Sequence, residues 1–144
     1  MPEKLQVLFL CTGNSCRSQM AEGLARRDWG DQFDVRSAGI EMHGLNPLAV
    51  KAMREINIDI SAHQSKTIDD LPDLNPSYVI TVCGHANETC PVFPGPVKRI
   101  YAGFDDPPKL ASAAKSEEEA MQHYRRVRDE IAAFVKALPE KLPV

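Results

Sequence analysis

Apolar and polar positions change their period several times along the chain, and each change marks an element. Residues 4–10 form a short apolar run closed by a turn signal at Gly13-Asn14. This predicts a buried strand followed by a tight loop. From Ser18 to about Trp29, Met20, Ala21, Leu24 and Ala25 share one helical face, and Gly30 stands where a helix would stop. Phe33 to Ser37 alternates as a second strand, closed by Ala38-Gly39. Asn46 is a good N-cap and Pro47 suits the first helical position, ahead of an apolar stripe of Ala49, Ala52, Met53 and Ile56. Residues 77–82 make the clearest strand, and Val97 to Tyr101 predicts another. Ser116 and Glu119 form a capping box, and Ala120, Tyr124, Val127, Ile131, Phe134 and Leu138 follow as a core-facing stripe, with Pro139 as the stop.

Strands thus alternate with helices, which argues for an α/β fold with a parallel sheet and helices on both faces. Sites in such sheets lie beyond the carboxyl ends of the strands, near a switch in strand order. A length of 144 residues suits one domain, 1–144, able to bury a core without disulfide or metal. The connector 91–108 is rich in proline and long for so small a domain, as functional loops tend to be.

Charge narrows the partners. Lys and Arg total 17 against 20 Asp and Glu, so no basic surplus exists to meet nucleic-acid phosphates. There is no run of 18 apolar residues, and the apolar stretch ending at Leu10 is too short for a signal peptide. A cytoplasmic chain that neither spans nor needs a membrane is expected. Four cysteines, at 11, 16, 83 and 90, then suggest redox chemistry or a metal more than a disulfide framework. The gaps of four and six residues within the two pairs are not the usual two-residue zinc spacing, so no metal is expected.

The chemistry concentrates in residues 11–18, Cys-Thr-Gly-Asn-Ser-Cys-Arg-Ser, between the first strand and helix. Gly13 and Asn14 tolerate left-handed backbone angles, so the loop can curl its N–H groups of Thr12, Gly13, Asn14, Ser15, Cys16, Arg17 and Ser18 into an anion nest. The helix N-terminus aims into the same hollow, and the Arg17 fork matches two oxygens of a tetrahedral oxyanion. A thiol at Cys11 in such a field is expected to have a lowered pKa and to act as nucleophile, with Ser18 favouring the thiolate. Cys16 reads as a small packing residue. His43, His63, His85 and His123 show no ligand-like pairing and read as surface or capping residues; Trp29 reads as packing. Arg125, Arg126 and Arg128 read as a solvated, ion-paired face.

Cys11 to Ser18 resembles the phosphate loop of the low-molecular-weight protein tyrosine phosphatases, and more closely that of their thioredoxin-coupled arsenate reductase relatives. The likeness continues through residues 19–23, 37–41, Gly44, Asn46-Pro47, 59–61 and 126–131. It implies a three-layer α/β/α domain on a four-stranded parallel sheet. It implies a cytoplasmic arsenate reductase, with phosphatase action on aryl phosphates as the alternative. Phosphate and sulfate would compete with arsenate, and the chain would work as a monomer. In the implied relay, Cys11 attacks arsenate, Cys83 attacks Cys11 to release arsenite, and Cys90 attacks Cys83. The resulting Cys83–Cys90 disulfide is left for thioredoxin, or glutaredoxin as the alternative, with no tightly bound cofactor.

Cys83 directly follows the strand 77–82, which in a parallel sheet puts it at the same edge as Cys11. If 83–90 were helical, the two cysteines would stand ~10 Å apart along the axis, so the segment must unwind to bring them within the ~7 Å a disulfide allows. Asp105-Asp106-Pro107 reads by itself as a turn; the resemblance makes Asp106 the general acid, with Asp105 raising its pKa. Pro108-Lys109 follows where the phosphatases carry an aromatic residue, which weakens the phosphatase reading. Asn14 is expected to hold the loop backbone and contact Ser18. Some relatives bind potassium near this loop; Glu22 could take part, but Lys66 supplies an ammonium in its place.

Overall fold

A computed structural model of the chain describes residues 5–71, 73–84 and 97–142. Strand β1 (Leu5–Cys11) leads into helix α1 (Arg17–Trp29), then β2 (Phe33–Gly39), α2 (Pro47–Arg54), β3 (Tyr78–Thr81) and β4 (Lys98–Tyr101). Three helices close the chain: α3 (Pro107–Ala111), α4 (Glu117–Lys136) and α5 (Leu138–Lys141). All strand pairs are parallel, in the order β2-β1-β3-β4. This is the expected α/β architecture.

The order reverses at β1. The chain leaves β1 toward β2 and later returns to place β3 on its other side, so the switch point lies between the carboxyl ends of β1 and β3. Leu10 pairs with Thr81, and the Val82 N–H donates to Leu10 O at 2.9 Å. That register sets Cys11 and Cys83 at one edge.

β1 is buried from Val7 onward because it is a central strand, and its uninterrupted apolar run follows from that. It joins Leu24, Met53, Ile60, Ile80 and Ile131 in one core. The Asn46 side chain accepts from the Leu48 and Ala49 N–H groups, so α2 starts as its cap and proline require. Ser116 accepts from the Glu119 N–H, but the Glu119 carboxylate turns to the Lys115 N–H, leaving the expected capping box half-formed.

Two expectations for α4 are corrected. The helix stops at Lys136 rather than at the proline, and Pro139 sits in the first turn of α5, where a missing N–H costs nothing. Arg128 is not on a solvated face: it is buried, donating to Ala52 O and Glu55 and so tying α4 to α2. Arg125 and Arg126 do form the expected surface ion pairs.

Candidate active site

The loop 11–16 is shaped from outside. Ile40, Glu41, His43 and Asn46 donate their N–H groups to the carbonyls of Cys11, Thr12, Gly13 and Ser15 at 2.8–3.1 Å. In a trans peptide the carbonyl and the next N–H point oppositely. The amides of Thr12, Gly13, Asn14 and Cys16 are therefore turned to the inside of the curl. Two glycines permit this close approach. A Cβ at Gly39 would fall 2.8 Å from the Asn14 nitrogen, and one at Gly13 would fall 2.2 Å from the His43 ring.

Asn14 takes a left-handed φ of 49° and is fully buried. Its Nδ2 donates to Ser18 Oγ (2.8 Å) and Ser37 Oγ (3.0 Å), and its Oδ1 accepts from Gln19 Nε2 and the Lys66 N–H. These bonds repay the strain of the left-handed backbone. Because Ser18 Oγ accepts from Asn14, its own hydroxyl hydrogen is available to Cys11, which also meets the Ser18 backbone N–H. Ser37 in turn donates to the buried Glu22, and Glu22 is ringed by Arg26 (3.2 Å), Lys66 (3.5 Å) and His63 (3.6 Å). The Lys66 ammonium lies 3.5 Å from Glu22 and 3.4 Å from Ser37 Oγ.

Cys11 and Cys83 are both buried thiols and neighbour one another, and Thr12 Oγ1 lies 3.2 Å from Cys83 Sγ. This corrects the expected acidity of Cys11. The neighbouring Cys83 and burial push the Cys11 thiol up, against the pull of Ser18 and Arg17. Two neighbouring sulfurs cannot readily both carry charge. Cys16 is buried as expected, and burial raises its thiol too, although it also lines the pocket.

Arg17 spans the site. Its Nη1 donates to Phe104 O at 2.9 Å, and its Nη2 lies 3.7 Å from Asp106 Oδ1. Asp105 does not face its neighbour; it pairs with Arg126 at 2.9 Å. The pocket enclosed by Cys11, Thr12, Gly13, Ser15, Cys16, Arg17, His43, Asp106 and Pro108 measures about 230 Å³. That is below the ~300–1,000 Å³ of pockets for drug-sized ligands, and suits a small oxyanion. A larger hollow of about 990 Å³ opens at the amino ends of β1 and β2, among Arg26, Asp34, Arg36 and Asp73, and contains no thiol.

The pocket therefore gathers Cys11, Arg17 and Asp106, with the buried Cys83 behind Thr12. Cys90 lies outside the described residues, as do His85 and the unwinding proposed for 83–90. His43 is exposed, as expected of a surface residue, and also lines the pocket. His63 is corrected: it is mostly buried, with its Nδ1 at 3.0 Å from Gln19 Oε1. Among the described residues, no cluster of ligand-type side chains could hold a metal ion, and no helix is long and apolar enough to cross a membrane.

Known proteins are similar to this chain over nearly its whole length. The family model for low molecular weight phosphotyrosine protein phosphatase matches residues 6–143. A protein of Halalkalibacterium halodurans named arsenate reductase is 53% identical over 137 residues, covering 95% of this chain and 96% of its own. One of Bacillus licheniformis, also named arsenate reductase, is 55% identical over 139 residues, covering 95% and 96%. A solved structure described as an arsenate reductase in the phosphate binding state superposes with a TM-score of 0.71 at 30% identity, covering 96% of this chain and 99% of that one.

Proposed function

We propose that this chain, which belongs to the low molecular weight phosphotyrosine protein phosphatase family and is an arsenate reductase within it, works through a relay of Cys11, Cys83 and Cys90. The observation that carries the reading is a second buried thiol beside the amide-lined pocket: Cys83, whose sulfur lies 3.2 Å from Thr12 Oγ1, follows β3 at the sheet edge where Cys11 ends β1. A hydrolase needs one thiol there; a reductase needs two.

Arsenate enters as its monoanion or dianion and is held by the loop amides and the Arg17 fork. Cys11 forms the S–As bond, one arsenate oxygen leaves, and Asp106 supplies the proton that makes it water. The thiol proton of Cys11 passes to the bound oxyanion, which suits a thiol whose pKa is held above its ordinary value. Cys83 then attacks the sulfur of Cys11. The S–As electron pair goes to arsenic, reducing As(V) to As(III), and arsenite leaves with the Cys83 proton. Thr12 Oγ1, at 3.2 Å, stabilises the attacking Cys83 sulfur.

Cys90 next displaces Cys11 from Cys83, and the Cys83–Cys90 disulfide is reduced by an external dithiol. We assign that role to thioredoxin, with glutaredoxin the competing donor. No resident cofactor is needed for these steps. Lys66 supplies a positive charge at Glu22 where a monovalent cation would otherwise serve. The protein acts as a single cytoplasmic domain, 1–144, and as a monomer.

The test is Cys83→Ser. Arsenate turnover with thioredoxin should vanish, while hydrolysis of an aryl phosphate through Cys11, Arg17 and Asp106 persists. Turnover of arsenate by the variant at the wild-type rate would remove Cys83 from the relay.

A further inference from the structure

The pocket has one wall that the chemistry above does not use. The His43 backbone is bound to the loop, its N–H donating to Gly13 O at 3.0 Å. Its ring lies against Gly13 so closely that even a methyl group there would meet Nδ1 at 2.2 Å and Cγ at 2.5 Å. The far ring nitrogen, Nε2, is 2.7 Å from Glu41 Oε2. Glu41 is itself fixed to the loop by its N–H on Thr12 O at 2.8 Å. Both ends of the imidazole are thus set, one by packing and one by a carboxylate. The ring half-closes a hollow of about 230 Å³ whose lining also includes Pro108 and Asp106.

We propose that His43, packed on Gly13, is a specificity-determining residue: its ring narrows the pocket so that a bare tetrahedral oxyanion is favoured over an oxyanion esterified to an aryl ring. This deepens the arsenate reductase reading and rests on it for the natural substrate. The argument is steric. Orthoarsenate needs only the space between the loop amides and Arg17. An aryl ester must also lay a planar ring across the mouth, where the imidazole stands. Removing a wall of this size is comparable to opening a hydrophobic slot, for which discrimination changes of about 10–200-fold are usual.

The test compares His43→Ala with His43→Phe, using p-nitrophenyl phosphate both as a substrate for hydrolysis and as a competitive inhibitor of arsenate reduction. In His43→Ala, the ratio of kcat/KM for p-nitrophenyl phosphate to that for arsenate should rise about tenfold or more, with its inhibition constant falling in parallel. His43→Phe keeps a ring on Gly13 without the Glu41 bond, and should hold the ratio within about threefold of wild type. An unchanged ratio in His43→Ala overturns the proposal. So does an equal rise in both variants, which would assign the effect to charge or to the Glu41 tether. Hydrolysis of p-nitrophenyl phosphate, and its inhibition by arsenate as a competing oxyanion, need neither Cys83 nor a dithiol. A wild-type protein that fails to reduce arsenate would therefore sink the parent reading, while the rise in p-nitrophenyl phosphate kcat/KM relative to the arsenate inhibition constant in His43→Ala would still test this one.

Discussion

Two segments face each other across the pocket and are held by opposite means. The cradle 11–18 is buried, and its polar side chains close on one another: Asn14, Ser18, Ser37, Gln19 and Glu22 form a continuous network inside the protein. The segment 104–108 lies at the surface. Its carboxylates are 38% and 63% exposed at Asp106 and Asp105, and they are restrained by Arg17 and Arg126. The contrast follows from what each must do. Groups that bind an anion must be fixed before it arrives, since reorganising them would consume the binding energy. A group that gives up a proton and takes another from water must stay wet.

The sharpest way to break the contrast is to cut the network at its centre. Asn14→Ala strands Ser18, Ser37, Gln19 and the Lys66 N–H, and puts a non-glycine, non-asparagine residue at φ 49°. We expect a loss of about 3 kcal/mol of stability, together with most of the activity, because the cradle loses its shape. Thermal or urea unfolding checks this, and a wild-type midpoint would show that the network is not what holds the loop.

Asp106→Asn tests the other side. The ion pair of this carboxylate is a long one, 3.7 Å to Arg17, so the melting temperature should fall by no more than about a few degrees. Turnover should fall about a hundredfold, the lower end for loss of a general acid. A variant that lost stability as Asn14→Ala does would make the two segments one structural unit.

A smaller effect separates them by pH. His63 sits against the buried network, where burial, aided by Arg26 and Lys66, holds its pKa below the ordinary value despite Glu22. The sign follows from that direction. The native state resists the proton more than the unfolded chain does, so stability is full above about pH 6.5 and falls as acid drives the pH down through the lowered value. His63→Asn keeps a nitrogen donor toward Gln19 and should flatten the fall in melting temperature between pH 7 and 5. A slope unchanged by the substitution would assign the acid sensitivity to other groups.

The same division explains what could be read from residues alone. The cradle is contiguous, so its glycine, asparagine, cysteine and arginine announce it together. Cys83 was placed by topology: it follows a parallel strand, as Cys11 does. That rule also applies to His43, which follows β2 at the same edge, yet a lone histidine shows no spacing pattern and was passed over. His63 reaches Gln19 across 44 residues, and no local signal marks such a contact. Arg128 could have been found, since it lies four residues after Tyr124 on the buried stripe. The acidity of Cys11 is not legible locally, because a thiol neighbour 72 residues away and burial outweigh Ser18 and the guanidinium beside it.

The mildest perturbation concerns Arg126, which bridges Asp105 at 2.9 Å and Glu130 at 2.6 Å on the outside of α4. Both ion pairs are exposed, so Arg126→Ala should cost less than about 1 kcal/mol, and that cost should shrink further in high salt. Its effect on turnover should still exceed its effect on stability. Asp105 is the residue before Asp106, and freeing it loosens the approach of the acid without touching the cradle. A steady-state assay in low salt should show a modest fall in kcat with KM for arsenate unchanged. Restoring the charge with Arg126→Lys should recover part of it. If KM rises instead, the surface segment shapes the anion site itself, and the division between a buried cradle and an exposed acid fails.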